Sequence, residues 1–234
     1  MIAVAVAVAI AAALVAATLL MRDGGDDAAP AGTTSGETTT SDSANPALAT
    51  VTGIPQNGTI LGDAKATVTL IQFEDIQCPV CKTYTDNAFP AIVDEYVRPG
   101  LVKIDFRGLT FLGPDSEKAL RIAVAAGYQN KLWEVVELFY ANQGAENSGW
   151  VTDSLIDEIL AEVPGLDAEK VKTDAASDAV AKDIAEFQAQ ATTLKVPGTP
   201  WFFIQIGLTP PYEIRPTSLD PSAFRPALDD ALKG

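Results

Sequence analysis

The feature that most constrains this chain is a junction. The apolar run Val68-Thr69-Leu70-Ile71-Gln72-Phe73 ends just before Gln77-Cys78-Pro79-Val80-Cys81, and a helical pattern follows from Lys82 to Val97. A run that is apolar at nearly every residue suits a central strand covered on both faces. Such a strand feeding a helix across so short a gap belongs to a layered α/β fold. Pro79 falls in the first helical turn, where its missing N–H would have had no partner. The free N–H groups of that turn and the positive end of the helix dipole then face Cys78 and favour its thiolate. Cys78 is therefore the candidate nucleophile. Cys81, one turn further in, is the candidate resolving thiol, able to close an intramolecular disulfide.

Three plainer readings of the pair compete. Structural zinc needs four ligands, whereas the sequence offers two cysteines and no histidine. A purely structural bridge would close too short a loop to remove much unfolded-chain entropy. Two inert buried thiols fit poorly with a proline that sets them at a helix mouth. Redox chemistry leads. The competing class is a binding or chaperone module that keeps the cysteines as a fixed staple, marked by a potential below about −300 mV.

Charge and composition narrow the chemistry. The formal net charge is −15, which argues against nucleic acid or an anionic membrane surface as partner. The absence of histidine removes Ser-His-Asp and Cys-His catalysis and most transition-metal sites. Cysteine and carboxylates remain.

In chain order, residues 1–22 open with an uncharged apolar run to Met21, about long enough to cross a bilayer as a helix. No small-residue cleavage site follows, so an uncleaved anchor is expected, with a cleaved signal peptide as the alternative. No Lys or Arg precedes the run, so the positive-inside rule does not fix its orientation. Residues 23–50 are rich in Ala, Gly, Ser, Thr and Asp and read as a disordered tether. The folded domain is expected over 51–234. Residues 53–58 read as a turn-rich entry and 61–66 as a loop. Pro90 predicts a kink or break of the first helix near Phe89. Leu101 to Phe106 alternates as a second strand. From about 113 to 194 the pattern is helical without a strand signal, giving an inserted helical block. Trp201 to Ile206 is a strand, Tyr212 to Arg215 a short return strand, and Pro221 to Leu232 a closing helix with Asp220 as N-cap.

Several stretches, in order, carry a family resemblance: Leu61-Gly62-Asp63, Phe73-Glu74-Asp75-Ile76-Gln77-Cys78-Pro79-Val80-Cys81, Trp133-Glu134 through Leu138-Phe139, and Val196-Pro197-Gly198-Thr199-Pro200-Trp201-Phe202-Phe203. Together they span about Gly53 to the C-terminus, and they resemble the DsbA-like branch of the thioredoxin superfamily. The resemblance implies a thioredoxin-like fold and a protein-disulfide oxidoreductase. It implies a cis Thr199–Pro200 bond beside the cysteines, against the plain alternative of a trans proline opening a strand. Thr199 would pair with an extended substrate as an added strand, with Pro79 and Val80 as further substrate contacts. Implied partners are unfolded or partly folded exported proteins with free thiols, and a quinone-linked membrane oxidase for recycling. No cofactor is implied. The implied setting is extracytoplasmic, and the direction is oxidative, with reductase and isomerase as alternatives on the same fold.

Two positions depart from the family pattern. Val80 stands between the cysteines where the family often has histidine or another polar residue. Gln72 stands six residues before the nucleophile, where many members carry a buried carboxylate that relays protons to the second cysteine. By strand alternation Glu74 points the same way as Gln72, which makes it a candidate replacement relay. The simpler reading of Glu74 is a solvated acid leaving the strand.

Overall fold

The computed structural model describes residues 45–234. The expected anchor and the expected tether up to residue 44 lie outside the described residues. Among the described residues no helix is long and apolar enough to cross a membrane.

Seven strand residues of β3, Val68–Glu74, are all buried, as the unbroken apolar run requires. β3 pairs in parallel with β4, Val102–Gly108, and antiparallel with β5, Trp201–Ile206. Between β3 and β4 runs α1, Pro79–Ile92, continued by a π-turn over Val93–Val97. The short strands β1, Gln56–Asn57, and β2, Ile60–Leu61, close one edge, and β6, Tyr212–Ile214, closes the other. The sheet order is β1-β2-β4-β3-β5-β6. The helical block comprises α2, Pro114–Gly127; α3, Leu132–Ala141; α4, Asp153–Glu162; α5, Ala168–Ala175; and α6, Asp178–Leu194. Finally α7, Pro221–Ala231, packs against α1 and β5. Aromatic rings tie the layers together: Phe89 of α1 stacks on Trp133 of α3 with centroids 5.4 Å apart, and Tyr84, Phe202 and Phe224 join α1, β5 and α7.

Four expectations need correction. The folded body begins upstream of Val51: a 3-10 turn over Pro46–Leu48 sets Leu48 in the core at 5% exposure. Asn45 also caps that turn and reaches Glu162. Segments 53–58 and 61–66 are not only turn and loop, since β1 and β2 form a hairpin there with Asn57 opposite Ile60. Pro90 does not break the helix at Phe89. Its missing N–H deprives only the carbonyl of Asp86, which lies on the exposed face and can be met by water, and the adjustment comes after Ile92 as the π-turn. Asp220 occupies the N-cap position of α7 without capping it; its carboxylate accepts instead from the Ser218 hydroxyl at 2.8 Å.

Candidate active site

The C-terminal end of β3 delivers the chain into a tight turn in which the Cys78 N–H donates to the Asp75 carbonyl at 2.9 Å. Cys78 then takes the N-cap position of α1, with extended backbone and Pro79 as the first helical residue. This is the helix mouth expected from the sequence. Both cysteines are free thiols, Cys78 at 6% exposure and Cys81 at 0%.

The two sulfurs are electrostatically unlike. Cys78 is lowered from 9.0 to about 6. The largest cause is the Cys81 thiol, which donates to the Cys78 sulfur. Burial opposes the shift, and the N–H groups of Cys81 and Val80 and the Thr199 hydroxyl add to it. The neighbouring thiol thus outranks the helix N–H groups expected to stabilise this sulfur. Cys81 is held well above 9.0, first by burial, then by its hydrogen bond to Cys78 and by the charges of Glu74 and Cys78. A donor–acceptor pair of this kind stabilises one thiolate at the expense of the other.

β5 pairs with β3 in the register Phe73 opposite Trp201, which carries the preceding residues to the helix mouth. There the Thr199–Pro200 bond is cis, as the family resemblance implied. The Cys78 thiol lies 3.5 Å from the Thr199 carbonyl oxygen, which accepts from its protonated form. Beside it runs an open groove of about 490 Å³, lined by Val80, Thr199, Pro200, Trp201, Ile214 and Arg215 among others. Val80 is 50% exposed at its rim. Cys78, Cys81, Val80, Thr199 and Pro200 are thus brought together; Pro79 is exposed next to them at the start of α1.

Glu74 is not a solvated acid. It is 1% exposed, and its pKa is pushed from 4.5 to about 8. Burial is the main cause, the charge of Cys78 adds to it, and hydrogen bonds from Tyr140 and Gln72 oppose it. The Tyr140 hydroxyl donates to Glu74 Oε2 at 2.6 Å, while Oε1 is buried without a partner among the described residues. The amide oxygen of Gln72 also accepts from the Tyr84 hydroxyl at 3.0 Å. The titratable acid whose charge reaches the second cysteine is therefore Glu74, two residues along β3 from Gln72. Tyr140 escaped the sequence reading because an aromatic residue on an apolar helix face looks like core. A second acid of α3, Glu137, is also held well above its ordinary range, by burial and by the Glu74 charge. Among the described residues no cluster of three or more His, Cys, Asp or Glu side chains is placed to hold a metal.

A family model described as Thioredoxin matches residues 55–209. The chain belongs to the thioredoxin family. Its DsbA-like character shows in its relatives. A Bacillus cereus protein named probable disulfide bond formation protein D is 29% identical over 176 residues, covering 74% of this chain and 78% of that protein. The crystal structure of oxidised BdbD from Bacillus subtilis superposes with a TM-score of 0.66 at 22% identity, over 77% of this chain and 98% of that one. A thioredoxin-like oxidoreductase from Silicibacter pomeroyi gives 0.58 at 28% identity, over 75% and 92%. This DsbA-like chain is a protein-disulfide oxidoreductase.

Proposed function

We propose that the protein works as a dithiol oxidase that introduces disulfides into exported proteins. The observation that carries this reading is the asymmetry of the two sulfurs, with Cys78 lowered to about 6 and Cys81 raised. Stabilising the Cys78 thiolate stabilises the reduced protein, and that makes its disulfide the stronger oxidant.

In the oxidised protein a substrate thiolate attacks the Cys78 sulfur. The Cys78–Cys81 bond breaks, a mixed disulfide forms at Cys78, and Cys81 leaves as a thiolate. That buried thiolate takes a proton, for which Glu74 is the donor, being neutral near pH 7 when its pKa is about 8. A second substrate thiolate then attacks the substrate sulfur of the mixed disulfide. The substrate disulfide forms, Cys78 leaves as its stabilised thiolate, and two electrons rest on the dithiol. Glu74 regains its proton from solvent, and recycling releases the Cys81 proton and passes both electrons to a disulfide-bearing, quinone-linked membrane oxidase. The groove beside Thr199 and Pro200 receives the extended substrate segment, with Val80 and Pro79 as flanking contacts. The apolar run up to Met21 supports a single-pass anchor. The names of the Bacillus relatives support the disulfide-forming role, and that role calls for a catalytic domain outside the reducing cytoplasm.

Two measurements test this. Cys81→Ser should accumulate mixed disulfides through Cys78. Equilibration of the wild-type pair with glutathione should give a potential more oxidising than about −180 mV. A potential at or below about −270 mV would mark a reductase instead.

A further inference from the structure

Residues 75–78 join β3 to α1 and carry the nucleophile, and their polar groups are bonded largely to the helical block. Asp75, Gln77 and Ser116 are each 0% exposed. Asp75 Oδ1 accepts from the Gln77 N–H at 2.9 Å and from the Ser116 hydroxyl at 2.6 Å. Asp75 Oδ2 accepts from the Leu112 N–H at 3.1 Å. Gln77 Nε2 donates to Ser116 Oγ at 2.9 Å, and Gln77 Oε1 accepts from the Asn147 N–H at 2.7 Å. Gln143, just past α3, donates through Nε2 to the carbonyls of Ile76 at 2.6 Å and Cys78 at 3.3 Å.

A buried polar atom that loses its partner costs free energy out of proportion to the bond itself. The Asp75 carboxylate has neutral donors around it, and the Ser116 hydroxyl serves two buried groups at once, donating to Asp75 and accepting from Gln77. Deleting that hydroxyl leaves the Gln77 amide nitrogen and one carboxylate oxygen short of a bond. The segment can regain them only by shifting, and the Cys78 sulfur shifts with it.

We propose that Ser116 and Gln143 are positioning residues, through which the helical block fixes the Asp75–Cys78 segment and so sets the alignment of Cys78 with the N–H groups at the mouth of α1. This rests on the oxidase reading above. On it the inserted block is part of the redox machinery as well as a cover over the sheet.

The test is Ser116→Ala and, separately, Gln143→Ala in the full chain. The readouts are the pH dependence of Cys78 alkylation, the glutathione equilibrium of the pair, and the melting temperature. Each variant is expected to raise the thiolate pKa and to weaken the protein as an oxidant about three- to tenfold in that equilibrium, tenfold being about 30 mV. Ser116→Thr, which restores the hydroxyl, should recover most of the shift. Lower melting temperatures with an unmoved pKa and equilibrium would overturn the proposal and leave the network purely structural. Gln143, only partly buried, gives the reading if Ser116→Ala does not fold. A wild type without an acidic Cys78 would instead sink the oxidase reading itself, so the two failures are distinguishable.

Discussion

Replacing Glu74 by Gln removes a buried acid whose folded-state pKa is about 8 against 4.5 in the unfolded chain. The sign follows from that order. Below the unfolded value both states hold the proton and folding carries no penalty. Between the two values the folded protein keeps a proton that the unfolded chain releases, so stability falls as pH rises, by about 1.4 kcal/mol per unit. Above the folded value the loss is complete, and the interval of about 3.5 units amounts to about 5 kcal/mol. Glu74→Gln has no proton to lose. It keeps an acceptor for the Tyr140 hydroxyl, so its stability relative to wild type should climb steadily from about pH 5 to about pH 8. Urea unfolding of both reduced proteins across that range measures the difference, with the other titrating groups common to the two. A difference that stays flat over the range would refute the claim that Glu74 is buried as a neutral acid.

Three other outcomes follow from the geometry. Val80→His places an imidazole on the half-exposed residue between the cysteines; the Cys78 thiolate pKa should fall by about a further unit and the potential rise by about 30 mV, whereas an unchanged alkylation profile would mean that position does not reach the sulfur. A chain starting at Val51 lacks Leu48, and in urea it should be less stable than one starting at Asn45 by about 2 kcal/mol, the worth of one buried leucine; equal midpoints would place residues 45–50 outside the cooperative fold. Gly108→Ala would put a methyl group 2.0 Å from Leu120 Cδ1, at a cost of about 1–3 kcal/mol that calorimetry would register as a lowered melting temperature.

What could be read from the sequence is what the local pattern encodes. The continuous apolar run gave β3 as a fully covered strand, and Pro79 gave the start of α1. The Gly-Thr-Pro placed far downstream became interpretable through the family resemblance, because only pairing of β3 with β5 brings Thr199 to Cys78. The rest depends on partners distant in the chain. The β1–β2 hairpin has two residues per strand, too few for alternation to register, and Gly58, at the first central position of the Gly58-Thr59 turn with φ +59°, was the one clue. Glu74 looks like an exit-loop acid until Tyr140, 66 residues later, covers it. The Asp75–Ser116 bond spans 41 residues, and nothing local marks either residue. Pro90 misled because the cost of a helical proline depends on which carbonyl it strands, and that of Asp86 faces water.

The central claim is that the mouth of α1, the Cys81 thiol and Thr199 together make Cys78 an acidic thiol. Its ionisation in the reduced protein, followed by the rate of alkylation against pH, tests this directly. The inflection should lie near 6, with Cys81 unreactive across the same range. An inflection at or above about 8.5, the value of an ordinary cysteine, would contradict it.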